Sequence, residues 1–64
     1  MKDGTKRSEI STGQEVGIVL KQDQSNGKIT RGIVQNVLTK SETHPHGIKV
    51  RLANGLVGRV KEIS

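Results

Sequence analysis

Apolar side chains recur at every second position along most of this chain. Val16, Ile18 and Leu20 alternate with Gly17, Val19 and Lys21, and Ile48, Val50 and Leu52 alternate with Lys49, Arg51 and Ala53. Leu56, Gly58 and Val60 alternate in the same way with Val57, Arg59 and Lys61. In the longer second segment Ile29, Ile33 and Val37 fall at odd positions, with Val34 and Leu38 on the other side. A period of two in segments rich in β-branched residues predicts strands, and no segment carries the stripe of an amphipathic helix. The opening MKDGTKRSE is polar and aperiodic, so residues 1–9 are expected to form a disordered, flexible tail. Residues 10–64 then make a single all-β domain, a small barrel of about five short strands. Eight glycines suit the turns and bulges of such a closed sheet.

The last hairpin can be aligned from its side chains. Asn54-Gly55 is a strong turn signal. A two-residue turn there would set Val50 against Arg59 and Ile48 against Lys61, placing two charges on the core side. A three-residue loop, Ala53-Asn54-Gly55 with Gly55 left-handed, instead pairs Leu52 with Leu56, Val50 with Gly58 and Ile48 with Val60. A slip of one residue exchanges the two faces of a strand, so the apolar pattern selects the second alignment. On the other face that alignment puts Lys49 directly opposite Arg59, with Arg51 diagonal to Arg59 and Lys61 next along.

Composition limits what such a domain can do. The apolar set is six Ile, seven Val, four Leu, one Ala and one Met, with no Phe, Tyr or Trp. A core this thin leaves little material for a deep, dry catalytic pocket. With no cysteine, neither a disulfide nor a thiolate metal site can staple the fold. The longest run of large aliphatics is Ile18-Val19-Leu20, far too short for a membrane span or a signal-peptide core. A soluble cytoplasmic protein is the expectation.

Charge points to a partner class. The chain carries a net +5, and residues 44–64 hold four cations against the single acid Glu62. Residues 1–43 are nearly balanced, with seven cations and five acids. The excess therefore sits on one ribbon, where like charges face each other at a small cost to the sheet. A covering polyanion accounts for that cost, although long side chains splayed into water would also tolerate it. Without aromatic side chains to stack bases, nucleic-acid contact is expected to rest on phosphates and backbone shape. The same lack argues against docking proline-rich peptides.

The loop LTKSETHPHG leads into the basic ribbon. His44 and His46 supply two imidazoles, where a structural zinc needs four ligands, and nothing in the spacing recruits Asp23 or Glu42. Ser41 and Thr43 lie near the histidines without any nucleophile elbow or oxyanion signature. Thr39, Lys40, Ser41 and His46 could offer donors to an anion beside the ribbon. The simplest alternative is a turn shaped by Pro45 and Gly47 with its imidazoles on the surface. Upstream, Asn26-Gly27 reads as the tip of a hairpin between the first two long strands, where Gln22, Asp23, Gln24 and Ser25 suit either an ordinary polar tip or hydrogen bonds to a ligand.

Taken together, VLKQDQ, GKIT, VLTKS, HPHGIKV and GRV, in that order between Gly13 and Ile63, resemble the YwbE-like family of small uncharacterised proteins. The family is a domain of unknown function, so the resemblance carries over no activity and no site residue. It implies a small SH3-like β-barrel, similar to basic barrels of translation and RNA proteins. The combined expectation is a non-enzymatic module, without cofactor, metal or small-molecule substrate. It would contact RNA or other polyanion phosphates through Lys40, His46, Lys49, Arg51, Arg59 and Lys61. The alternative is a protein-interaction module that uses a strand edge or the polar tip.

Overall fold

The computed structural model describes residues 4–63. Four strands, β1 (Glu15–Leu20), β2 (Thr30–Val37), β3 (Lys49–Leu52) and β4 (Val57–Ile63), close into an antiparallel barrel in the order β1-β2-β3-β4. The only helical pieces among the described residues are single 3₁₀ turns at Arg7–Glu9 and Lys21–Asp23. The architecture is the small all-β barrel expected, in keeping with an SH3-like fold, with four strands instead of about five. Ile10, where the alternating pattern was expected to begin, is buried but lies outside every strand.

Four strands suffice because β2 is long and bent. Its first half pairs with β1, from Glu15 opposite Ile33 to Ile18 opposite Thr30. Its second half pairs with β3, from Val34 opposite Leu52 to Val37 opposite Val50. The register shifts between Val34 and Asn36, which leaves Gln35 as the extra residue of a bulge. That bulge corrects the simple alternation read for this segment. Val34 points into the core and Ile33 stands 44% exposed, yet Val37 packs on the core again three residues later. Ile33 and Val37 do not share a face, because Gln35 and Asn36 both stay outside.

The core is wholly aliphatic. Ile10, Val16, Ile18, Val34, Ile48, Val50, Leu52 and Val60 form one buried cluster, and Leu20, Val37 and Ile63 pack against it. Each fully buried member contributes roughly 1.5–3 kcal/mol before ordering costs. The β3–β4 hairpin has the three-residue loop: the Leu52 N–H donates to the Leu56 carbonyl at 2.8 Å, and Gly55 takes φ +92°. Val50 faces Gly58 and Lys49 faces Arg59. Leu56, assigned to the core side by this alignment, is nonetheless 39% exposed.

Residues 1–3 of the expected flexible tail lie outside the described residues, and from Gly4 onward the chain is joined to the barrel by backbone bonds. Gly4 is buried, and its carbonyl accepts from the Ile48 N–H at 2.8 Å. The His44 N–H donates to the Thr5 carbonyl at 2.9 Å, and the Arg7 N–H donates to the Glu42 carbonyl at 2.7 Å. Lys6 and Thr43 form an isolated antiparallel bridge. Polar composition suggested a tail because this strap is fixed through its backbone, which no side-chain pattern reports.

Two left-handed glycines separate conformational strain from crowding. A Cβ on Gly55 (φ +92°) meets nothing, whereas one on Gly47 (φ +98°) would run into the Val60 carbonyl oxygen. Gly55→Ala should therefore cost about 1 kcal/mol, the left-handed penalty alone. Gly47→Ala should cost roughly 3 kcal/mol, because β4 must also move. Urea unfolding of the two variants measures the difference, and equal losses would contradict the packing of Gly47 against β4.

Candidate functional site

The outer face of the barrel carries the charge. Lys49 and Arg51 alternate with buried Val50 and Leu52 along β3, so both cations face solvent. On β4 the register to β1 slips between Gly17 and Ile18: Gly17 pairs with Glu62 and Ile18 with Val60. Lys61 is the extra residue of this second bulge, and it too is exposed. Arg59 is half-buried, with Lys49 opposite on one side and Val19 on the other. Among the described residues none of Lys49, Arg51, Arg59 and Lys61 forms an ion pair, whereas Arg31 on β2 lies 3.8 Å from Glu15.

Two of these cations are held in place by the loop after Pro45. Arg59 Nη1 donates to the Gly47 carbonyl at 3.2 Å, and Lys61 Nζ donates to the His46 carbonyl at 2.8 Å. Each bond uses one donor of a group that has several, five in guanidinium and three in ammonium. Both head groups are thereby positioned while most of their hydrogen-bonding capacity remains. The loop is braced in turn, because the Gly47 N–H donates to the His44 carbonyl at 3.0 Å and the N-terminal strap holds residues 42, 44 and 48.

Next to these cations lies an open groove of about 630 Å³. His46, Arg59 and Lys61 contribute to its lining, together with Val19 of β1 and with Gln24, Gly27 and Ile29 from the segment between β1 and β2. Val19 belongs to the outward set of β1, yet it is only 7% exposed. The Ile29 side chain lies across the same outer face, close enough to Gly17 that a Cβ there would sit 2.7 Å from Ile29 Cγ2. The groove thus brings aliphatic Val19 and Ile29 and the cations Arg59 and Lys61 into one lining.

Of the six residues expected to form the site, His46, Arg59 and Lys61 meet at this groove. Lys49 adjoins them across the ribbon, and Arg51 stands farther along β3, opposite Val57. Lys40 follows Thr39, whose hydroxyl accepts the Lys49 N–H at 2.8 Å, so it sits near the Lys49 end of the ribbon. Sequence reasoning missed Arg7, whose Nε donates to the Thr39 carbonyl at 3.1 Å, because it was assigned to the tail. It also missed Ile29 and Val19 as groove residues, since aliphatics of a strand pattern read as core. The signal for Gln24 was present in the polar tip. That tip is no tight hairpin: a 3₁₀ turn and a bond from the Gly27 N–H to the Asp23 carbonyl fold it into a longer excursion.

The two imidazoles stand 5.8 Å apart, and no group of three or more His, Cys, Asp or Glu able to hold a metal occurs among the described residues. His44 Nδ1 accepts the His46 backbone N–H at 3.2 Å, which suits a neutral ring. Desolvation lowers its pKa below the ordinary 6.5, and the positive charge of Arg59 and then His46 add to the effect.

A family model described as "Uncharacterized conserved protein (DUF2196)" matches residues 3–63. The chain belongs to this family. Within it, the uncharacterized protein YwbE of Bacillus subtilis (strain 168) is 57% identical over 61 residues, covering 95% of this chain and 94% of that protein. No solved structure gives a significant match. The family description names no activity, so the chemistry of the site rests on its own geometry. No helix among the described residues is long and apolar enough to cross a membrane.

The lowered pKa of His44 makes stability depend on pH. As pH falls, the unfolded chain takes up a proton at His44 before the folded chain does. The stabilisation is therefore complete above pH 6.5 and is lost as pH falls through the lower folded-state pKa. Melting temperature should begin to decline as pH falls below 6.5. His44→Gln should flatten that slope, and an unchanged slope in the variant would assign the pH dependence to other groups.

Proposed function

We propose that this domain is a non-enzymatic cytoplasmic module that binds RNA through its phosphates, using the basic β3–β4 ribbon. The observation that carries the reading is Lys49 directly opposite Arg59, flanked by Arg51 and Lys61, with no ion pair among the four in the described residues. Like charges facing each other across a sheet cost a few tenths of a kcal/mol, and a polyanion laid along the ribbon offsets that cost. Lys40 extends the positive surface at one end, His46 adds a hydrogen-bonding imidazole in the groove beside Lys61, and Arg7 joins through Thr39. Recognition of this kind positions a backbone and carries little sequence information of its own.

Closure of the sheet bears on the alternative of a protein-interaction module. Each of the four strands has a neighbour on either side, so none is an edge strand along its whole length among the described elements.

Titration of a fluorescent RNA across a salt series tests the proposal. Neutralising about four phosphates should give a log–log slope of about −3 to −4. Lys49→Gln and Arg51→Gln should each weaken binding and reduce the slope by about one unit. A flat slope, or no affinity at low salt, would overturn the reading. A partner that stays bound after nuclease treatment at moderate salt would place a protein there instead.

A further inference from the structure

We infer that the groove beside the ribbon receives one unpaired nucleotide, so that the domain selects single-stranded RNA over duplex. The inference rests on the phosphate-binding reading and extends it to the groove, which a purely electrostatic ribbon does not need.

The groove has the parts that a nucleotide requires. Its rim holds Arg59 and Lys61, each tied by one bond to a loop carbonyl and so fixed at the edge of the cleft. Cations pre-positioned in this way engage a phosphate with less loss of side-chain freedom than splayed ones. Its apolar floor is chiefly the half-buried Ile29, which lies over Gly17 of β1, since Val19 beside it keeps only 7% of its surface exposed. A phosphate gains nothing from such a floor, whereas the face of a base gains from leaving water against it. Gln24, also in the lining, supplies an exposed side-chain amide, which both donates and accepts and can meet the polar edge of a base. A volume of about 630 Å³ lies within the usual range for small-ligand sites.

An acidic peptide satisfies the rim and leaves the apolar floor unused. A paired base has both faces covered by its neighbours in the stack, and in A-form helices its edges lie in grooves that side chains read poorly. Only an unpaired nucleotide can turn a face onto Ile29 while its phosphate stays at Arg59 and Lys61. The floor is aliphatic where single-strand binders commonly use aromatics. The gain per base is correspondingly modest and the slot tolerant of base identity.

Amide chemical shifts of the ¹⁵N-labelled full chain test the inference with three probes: a short single-stranded oligouridine, an RNA duplex of equal charge and a poly-glutamate peptide. With oligouridine, the amides of Gln24, Gly27 and Ile29 should shift together with those of Arg59 and Lys61. With the duplex, shifts should be confined to the ribbon. Gln24→Ala, an exposed substitution that leaves the core untouched, should weaken oligouridine binding several-fold with an unchanged salt slope and unchanged duplex affinity. Oligouridine shifts restricted to the ribbon would overturn the groove and leave the phosphate reading standing. Equal movement of residues 24–29 by poly-glutamate would overturn nucleotide selection, and no shift with any RNA at low salt would overturn both readings.

Discussion

The backbone bond from Leu52 to Leu56 across the Ala53-Asn54-Gly55 loop decides which side of the β3–β4 ribbon every later residue occupies. Moved by one position, Arg59 and Lys61 would enter a core made only of Val, Ile and Leu, where an unpaired charge costs many times what a methyl group gains. With the observed alignment Ile48, Val50 and Val60 are fully buried and the cations share the wet face. One and the same choice thus makes the core and the charged surface. The interior cannot improve its packing by shifting register without destroying the exterior.

Alignment alone would leave the cations as mobile side chains on a ribbon. What makes them a site is the loop that returns over the sheet. Gly47 permits its carbonyl to reach Arg59, and the preceding His46 carbonyl reaches Lys61. The loop has few bonds of its own, and the strap over Gly4–Arg7 supplies three of its backbone partners. The strap is therefore a remote support for the groove: it holds the loop, and the loop holds the charges. In a barrel with so small a core, backbone hydrogen bonds of this kind take over positioning that a larger protein would assign to packed side chains.

The sequence made legible whatever depends on alternation and on the cost of burying charge. The strands, the three-residue loop and the placement of Lys49 against Arg59 follow from which register keeps charges out of the core. The bulges at Gln35 and Lys61 were hidden, because an extra residue inside a strand changes the phase of the pattern without leaving a compositional mark. Ile33 was misplaced for that reason. The strap was hidden because its attachment uses backbone groups, which every polar segment possesses. The groove floor was hidden for a third reason: Val19 and Ile29 are the residue types expected in a core, and only the fold shows them stacked outside β1.

That external aliphatic layer changes what the lack of aromatics implies. Read from composition, a chain without Phe, Tyr or Trp has no platform for a base and is left with phosphates. The inferred nucleotide slot would provide a second route, because Ile29, at the end of the 21–29 excursion, lies over Gly17 of β1 and lines the same groove as Arg59 and Lys61. Dispersion and desolvation against Val and Ile depend on contact area and are nearly blind to which base supplies it. Electrostatic attraction along the ribbon is likewise blind to sequence. Two non-discriminating terms meeting at one cleft can still discriminate, since only a strand with an exposed base satisfies both at once. Selection by strandedness then follows from geometry, without a base-specific hydrogen-bond code.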